Sequence, residues 1–146
     1  GTGAPWEGAA PILEGLAATV PAPFLVDRAT YCYDTFDWLC LLGRFLVIAE
    51  FSNPYLGPQT FDAGAMQLTF ESGYMWWESP TVMEGPIKMV NFCGSERTIK
   101  IFAAGLTNFY VVVAIGDMLS DRIVTITNPA YNVFDTVIAD TSFPCY

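Results

Sequence analysis

The ionisable side chains of this sequence offer few ways to do chemistry. Histidine is absent, which removes the commonest general base, the commonest metal ligand and every serine–histidine triad. Catalysis would have to use Asp, Glu, Lys, Arg, Tyr or Cys, and the candidates for a base and an electrostatic stabiliser are Arg44, Lys88, Lys100, Asp117, Asp135 and Asp140. They form no motif, and most fall on the outward phase of their strands. The sequence therefore predicts no catalytic residues and favours a protein that is not an enzyme.

Metal and cofactor sites are not indicated either. Asp34 and Asp37 could suggest calcium, but they lack the clustered oxygen ligands of a calcium loop. They are better explained as solvated charge that keeps an apolar protein soluble. Without His and without a C-x-x-C pair, the usual tetrahedral zinc spacings cannot be assembled. We predict no metal and no cofactor.

The cysteines indicate the compartment. Their even number, four, favours two disulfides, with three possible connectivities: the residues are Cys32, Cys40, Cys93 and Cys145. The alternative is four buried free thiols in a cytosolic protein, because Cys packs as a small hydrophobe. Disulfides form in oxidising compartments, so we expect a secreted, extracellular protein. The first twenty residues lack a basic region followed by an apolar run, which predicts that any secretory signal has already been removed.

Composition bounds the class of protein and its partners. Six Lys and Arg stand against fifteen Asp and Glu, and the net charge of −9 argues against nucleic acid and membrane surfaces as partners. With 53% apolar and 14% charged residues, the chain is not intrinsically disordered. No stretch reaches the ~18 apolar residues that span a bilayer. The length of 146 residues predicts one domain, which we place at residues 36–146 after an N-terminal extension at 1–35.

The sequence predicts that most of the chain forms β-strands. In the extension only Pro11–Thr19 has helical spacing, which predicts one short helix. Beyond it, turn residues recur at strand intervals and apolar residues alternate with polar ones, as in Met66–Glu71. About eight such strands predict an antiparallel meander closed into an up-and-down β-barrel, or else a β-sandwich or jelly roll. Phe109–Ile115 is apolar on both faces, which predicts a covered central strand or a sheet packed on another protomer.

Residues 36–51, FDWLCLLGRFLVIAEF, resemble the first strand of the lipocalin family, in which a Phe-Asp pair precedes G-x-W and an apolar run. The tripeptide here is Gly43-Arg44-Phe45, and residues 108–141 resemble the last three strands of that barrel. The resemblance implies an eight-stranded barrel in which Gly43 allows a tight entry to the first strand and Phe45 plugs the closed end. Phe45 replaces the family's Trp, Asp140 stands where an Arg usually stacks on that Trp, and the long C-terminal helix is missing.

A barrel of this size holds one small ligand. Alternation within the resemblance nominates eleven inward side chains for the binding site: Phe45, Val47, Met66, Leu68, Phe70, Tyr74, Trp76, Met89, Asn91, Tyr110 and Phe134. The alternative is that these side chains fill the barrel as an ordinary core. The run Tyr74-Met75-Trp76-Trp77 places large aromatics on both faces of one strand. One Trp therefore lies outside, at a partner or ligand contact or beneath the N-terminal extension.

The resemblance implies a secreted carrier of a small hydrophobic molecule of the retinoid, carotenoid, fatty acid, pigment or odorant class. It also implies the disulfide Cys93–Cys145, which leaves Cys32 with Cys40. One alternative is a structural β-rich subunit of a filament or capsid, and the exposed aromatic strand faces would also suit a homo-oligomer. A second alternative is a lipocalin-fold enzyme such as a lyase or isomerase, for which no residue set is selected.

Overall fold

The computed structural model describes residues 31–140 and 143–146. The helix predicted at Pro11–Thr19 and most of the predicted extension lie outside these residues. Within the described part, no helix has the length and hydrophobicity needed to cross a membrane. The predicted all-β class is confirmed, because the described residues form ten strands and no helix.

The strands form two antiparallel sheets. In chain order they are β1 (Leu39–Leu41), β2 (Phe45–Ser52), β3 (Phe61–Asp62), β4 (Gly64–Gln67), β5 (Ser72–Trp76), β6 (Gly85–Phe92), β7 (Thr98–Ala103), β8 (Tyr110–Asp117), β9 (Ile123–Asn128) and β10 (Val137–Asp140). The first sheet has the order β1-β2-β8-β9, with β3 also paired to β2. The second sheet has the order β10-β7-β6-β5-β4. Each contains five strands.

The strand order differs from the predicted meander. A meander would pair β7 with β8, but β8 pairs with β2, and β7 pairs with β10. The loops 104–109 and 129–136 therefore each carry the chain from one sheet to the other. Among the described strands the ladders do not join into the closed eight-stranded barrel. Alternation of apolar residues predicts which face of a strand is buried but not which strands are neighbours, so the sequence could not predict this order.

The inner faces of the two sheets share one hydrophobic core. It combines residues of both sheets: Leu39, Leu41, Phe45, Val47, Val111, Val113 and Ile115 from the first, and Ala65, Met75, Ile87, Met89, Ile99 and Ile101 from the second. Phe45 is fully buried, and its ring centroid lies 4.9 Å from that of Phe143. Strand β8 is central, between β2 and β9, and residues 111–115 are all buried. This confirms the prediction of a covered central strand there.

A tight turn leads into β2, as expected from Gly43. Leu42 and Gly43 both have positive φ, and the Arg44 amide donates to the Leu41 carbonyl oxygen at 3.1 Å. Two successive left-handed residues of this kind are typical of the two-residue hairpin turn whose twist suits antiparallel strands. Gly adopts this conformation without steric cost. The turn brings β1 back onto β2 and places Phe45 at the first core position of β2.

The Arg44 guanidinium lies over the ring of Phe45. In the lipocalin resemblance, the position from which an Arg usually stacks on this ring is occupied by Asp140. The Arg44 guanidinium carbon lies 4.7 Å from the Phe45 ring centroid and 5.2 Å from that of Tyr146. Arg44 also binds Asp117 through two hydrogen bonds of 2.7 Å each, and donates to the Pro144 carbonyl oxygen at 2.8 Å. Arg44 thus ties the start of β2 to the end of β8 and to the C-terminal segment.

Two disulfides are present, Cys32–Cys40 and Cys93–Cys145. They are the two pairs that the resemblance implied. The described residues contain no free cysteine. Because such bonds persist where thiols are not kept reduced, they indicate an oxidising environment for the folded protein.

Candidate ligand-binding surfaces

Four of the eleven nominated side chains lie in the shared core. Phe45, Val47, Met89 and Phe134 are all buried there, and Phe45, Val47 and Met89 have no exposed surface. They contact other core side chains from both sheets. Their positions agree with the alternative that these residues fill the interior as ordinary core.

The other seven side chains are not members of this core cluster. For most of them the predicted inward phase is wrong, but Asn91 has the same phase as Ile87 and Met89 and is exposed near the end of β6. On β4 and β5 the core residues are Ala65 and Met75, which turns Met66, Tyr74 and Trp76 to the other face; Tyr110 likewise alternates with the core residue Val111. Three more are exposed, namely Leu68, Phe70 and Asn91. On β5 the phase could not be predicted because Tyr74-Met75-Trp76-Trp77 is apolar on both faces, so a shift of one residue leaves the pattern unchanged.

The two adjacent tryptophans have different surroundings. Trp77 belongs to the core, and its ring centroid lies 6.0 Å from that of Phe51. Trp76 is half-buried and lies against the backbone of Gly64 on the neighbouring strand, where a Cβ would come within 2.1 Å of its ring. Its indole nitrogen is buried and has no hydrogen-bond partner among the described residues. Trp76 therefore packs on an edge glycine, an arrangement that stabilises edge strands, and its ring is not freely presented to a partner.

A groove crosses the outer face of the second sheet. Its volume is about 270 Å³, and its lining comes from the β4–β5 turn, the β5–β6 loop, strands β5 to β7 and the residues before β10: Leu68, Ser72, Gly73, Met83, Pro86, Ile87, Lys88, Phe102, Ala103, Ala104 and Thr136. We call it the Lys88 groove. Leu68 and Met83 remain 54% and 45% exposed. Large apolar side chains left in water beside a concave surface are typical of a binding site.

Buried polar contacts hold the loop that carries Met83. The Glu84 carboxylate is buried and accepts hydrogen bonds from the backbone amides of Trp77 at 2.6 Å and Glu78 at 2.9 Å. The Tyr74 hydroxyl donates to the Pro80 carbonyl oxygen at 2.5 Å. These contacts pin both ends of the β5–β6 loop onto the sheet. Because the loop is fixed in this way, the Met83 side of the groove exists before any ligand arrives.

Lys88 is the cation of the groove. It lies on β6 directly opposite Ser72 of β5 and Phe102 of β7. The lining residues that the structure describes include no carboxylate. Ion pairs in the described part of the chain join Arg44 to Asp117 and Lys100 to Glu96, and neither involves Lys88. The groove thus combines an apolar floor with one exposed ammonium group.

A second pocket, which we call the acidic pocket, lies at the first sheet. It has a volume of about 280 Å³ and is lined by Asp37, Trp38, Ile48, Ala49, Glu50, Asp62 and Ala63. Glu50 and Asp62 are directly opposite each other on β2 and β3. Burial, and then the charge of Asp62, raise the pKa of the Glu50 carboxyl. Burial, and then the charge of Glu50, raise the pKa of Tyr110.

Among the residues described, no group of three or more His, Cys, Asp or Glu is placed to hold a metal ion. The Trp38 indole donates to the Tyr33 carbonyl oxygen at 2.8 Å, which fixes the ring at the pocket wall. The Cys32–Cys40 disulfide lies at the same face, in a cluster with Leu46, Ile48 and Trp38. Residues 1–30, which precede this disulfide, are outside the described part.

Three of the candidate catalytic residues, Arg44, Asp117 and Lys100, are held in ion pairs. Arg44 and Asp117 form the ion pair that ties β2 to β8. Lys100, on β7, forms an ion pair with Glu96 at 2.7 Å. Burial raises the pKa of Asp117, but hydrogen bonds from Arg44, Ser120 and the Leu119 amide, with the Arg44 charge, outweigh it and lower the pKa overall. This carboxylate is committed to its partners. The geometry of these residues is that of a structural clamp.

Sequence reasoning missed the groove because loop residues build its walls. Met83 lies outside the strands, and Leu68 was assigned to the wrong face. Lys88 was considered only as a possible catalytic group. One signal was available: Lys88 stands between Ile87 and Met89, which marks the outward face of β6.

No protein-family model, no curated protein and no solved structure matches this chain. The resemblance to the lipocalin first strand therefore stays a prediction. Function must be argued from the two surfaces themselves.

Proposed function

We propose that this protein is a secreted carrier that binds a small hydrophobic ligand in the Lys88 groove. The observation that carries the proposal is a concave, largely apolar surface of about 270 Å³ whose walls include the exposed Leu68 and Met83. This volume is just below the range of about 300–1,000 Å³ that is usual for small-molecule sites. The two disulfides support the extracellular location.

The groove replaces the interior site that the lipocalin resemblance implied. The interior positions Phe45, Met89, Ile101 and Ile115 are fully buried against one another, so a ligand there would have to displace packed side chains. We propose the β-sandwich as the architecture of this carrier, because the two sheets share one core. The lipocalin resemblance at Gly43-Arg44-Phe45 supports the same class of function, transport of a small apolar molecule.

Calorimetric titration with octanol, decanol and dodecanol tests the proposal. Burial of a methylene group stabilises a complex by ~0.8 kcal/mol, so each added methylene should tighten binding by up to about fourfold. Met83→Asp should weaken dodecanol binding by about tenfold, equivalent to ~1.4 kcal/mol of lost apolar contact. Val82→Asp is the matched control, since Val82 is equally exposed on the same loop but does not line the groove.

Two outcomes would contradict the proposal. If affinity does not depend on chain length, the groove does not bury the ligand. If Val82→Asp and Met83→Asp weaken binding equally, the ligand contacts the loop nonspecifically or lies elsewhere. Both side chains are about half exposed, so neither variant is expected to unfold the protein.

A second candidate function, a subunit of an assembly, is favoured by β9. Among the described strands it is the edge of the first sheet, and its six residues carry no charge. An uncharged edge strand offers unpaired backbone groups to another chain. Light scattering after gel filtration should then show oligomers, and Thr127→Lys should dissociate them, whereas Thr60→Lys in an exposed loop should not. A monomer at high protein concentration would exclude this candidate.

A further inference from the structure

We infer that the ligand of the Lys88 groove is a single-chain amphiphile with a carboxylate head group, which binds beside the Lys88 ammonium while its chain lies along the apolar lining. This inference rests on the proposed function and goes further, because an apolar groove alone does not specify the polar end of its ligand. The groove contains one positive charge and, among its described residues, no negative one.

The position of Lys88 suits this role. Pro86 and Phe102 lie on the same outer face, since they alternate with the core residues Ile87, Ile101 and Ala103. The methylene stem of Lys88 can cover this apolar surface while its ammonium group stays in water. An amphiphile needs the same division, an apolar surface for the chain and a hydrated charge for the head group.

The size and charge of the groove favour a monoanion with one chain. The lining runs from β5 across β6 and β7 to Thr136, which directly precedes β10. These neighbouring strands are separated by three spacings of about 4.8 Å each, so the groove extends about 14 Å across the sheet. One ammonium group neutralises one carboxylate, whereas phosphate is typically held by several donors or by bidentate Arg.

The net charge of −9 favours a free ligand over a membrane lipid as the occupant of the groove. An anionic bilayer presents many charges at once and would repel a protein with this excess of carboxylates. A single carboxylate needs only one favourable contact, at Lys88. We therefore assign the groove to a free amphiphile rather than to the head group of a membrane lipid.

The experiment compares dodecanoate, dodecanol and dodecyltrimethylammonium, which share one chain length and differ in head-group charge. Each is titrated calorimetrically below its micelle concentration, at a pH where the carboxylate is ionised. The proteins are the unmodified chain, Lys88→Gln and Lys100→Gln. Lys100 also lies on the outer face of the second sheet, but it is paired with Glu96 and does not line the groove. It controls for the loss of one positive charge.

The readout is the ratio of dodecanoate affinity to dodecanol affinity. An exposed ion pair stabilises a complex by ~0.2–1 kcal/mol, so the unmodified protein should favour dodecanoate by up to about fivefold. The ratio should fall to about one in Lys88→Gln and should be retained in Lys100→Gln. The ammonium amphiphile should bind more weakly than the alcohol.

The possible failures are distinguishable. If dodecanol binds as well as dodecanoate, or if the preference persists in Lys88→Gln, the carboxylate inference is overturned and the hydrophobic carrier stands. Tighter binding of the ammonium amphiphile also overturns it. If none of the three binds, the proposed function fails together with the inference. Binding to anionic vesicles without binding to dodecanoate would replace the free ligand by a membrane.

Discussion

The outer faces of the two sheets carry pockets of similar volume and opposite charge. The acidic pocket of the first sheet is lined by three carboxylates and no cation among the described residues. The Lys88 groove of the second sheet has one ammonium group and no carboxylate on the same basis. The difference shows that a net charge of −9 does not determine the local charge at each surface. A small charged ligand responds to the groups within a few ångströms of it, because solvent screens more distant charges.

The comparison of the two pockets assumes that the two sheets unfold together, as one cooperative unit. Phe45 lies in the core that both sheets share, so Phe45→Ala should lower the free energy of unfolding by roughly 3–5 kcal/mol. Urea unfolding followed by tryptophan fluorescence and by dodecanol binding should give one coincident transition. Phe36→Ala is the control, because Phe36 is 76% exposed. A loss below ~1 kcal/mol, or separate transitions of the two probes, would mean that the faces are independent.

Asp117 offers a contrast to the carboxylates of the acidic pocket, because it forms an ion pair with a cation, Arg44. Arg44→Met should lower stability by about 3 kcal/mol, since it leaves the buried Asp117 unpaired. The lowered pKa of Asp117 means that this stabilisation is complete above the ordinary value of 3.8 and is lost as pH falls through the folded-state pKa. The gap between the two proteins should therefore narrow in acid. A gap that is constant with pH, or matched by the exposed Arg97→Met, would show that the ion pair is not its cause.

Lys88→Glu would make both pockets acidic and so remove the difference between them. The change replaces an attraction of up to about 1 kcal/mol by a repulsion of similar size, so dodecanoate binding should weaken by up to about thirtyfold. Dodecanol, which carries no charge, serves as the reference ligand in the same titrations. Equal losses for both ligands would indicate a changed groove shape rather than a changed charge.

The smallest expected effect concerns Glu50. Because its pKa is raised by burial and by Asp62, the charged form is disfavoured in the folded state. Glu50→Gln should raise stability at neutral pH by up to about 1 kcal/mol, the scale of a cross-strand pair. The gain should shrink as pH falls through the folded-state pKa of Glu50 and disappear below the ordinary value of 4.5, where the unmodified carboxyl is protonated in both states.

Two measurements check this result. Glu78→Gln, at an exposed position, should change stability by less than about 0.5 kcal/mol at any pH. Glu50→Gln should also lower the pKa of Tyr110, which can be followed by absorbance, because the Glu50 charge is one cause of the raised value. If stability falls instead, Glu50 has a favourable contact that outweighs the repulsion from Asp62.

The sequence could predict the features that depend on residue type and local spacing. The all-β class, the tight turn at Gly43, the buried Phe45 and the covered strand β8 follow from turn residues and apolar runs. The pairing of β7 with β10 could not be predicted, because it depends on where the loop 104–109 leads. The groove could not be predicted either. Met83 reaches it because side-chain contacts of Glu84 and Tyr74 fix its loop, and strand alternation does not reveal such contacts.

The two disulfides also determine how the chain would carry a mechanical load. A force applied to its two ends would pass through the sulfur–sulfur bonds, so the closed loops 32–40 and 93–145 could not lengthen. Within the described residues, the segment between Cys40 and Cys93, with strands β2 to β6, is the stretch that could be drawn out. Three ladders join that segment to the closed loops, β1–β2 and β2–β8 in the first sheet and β6–β7 in the second. Both sheets thus contain strand pairs that must separate before this segment extends.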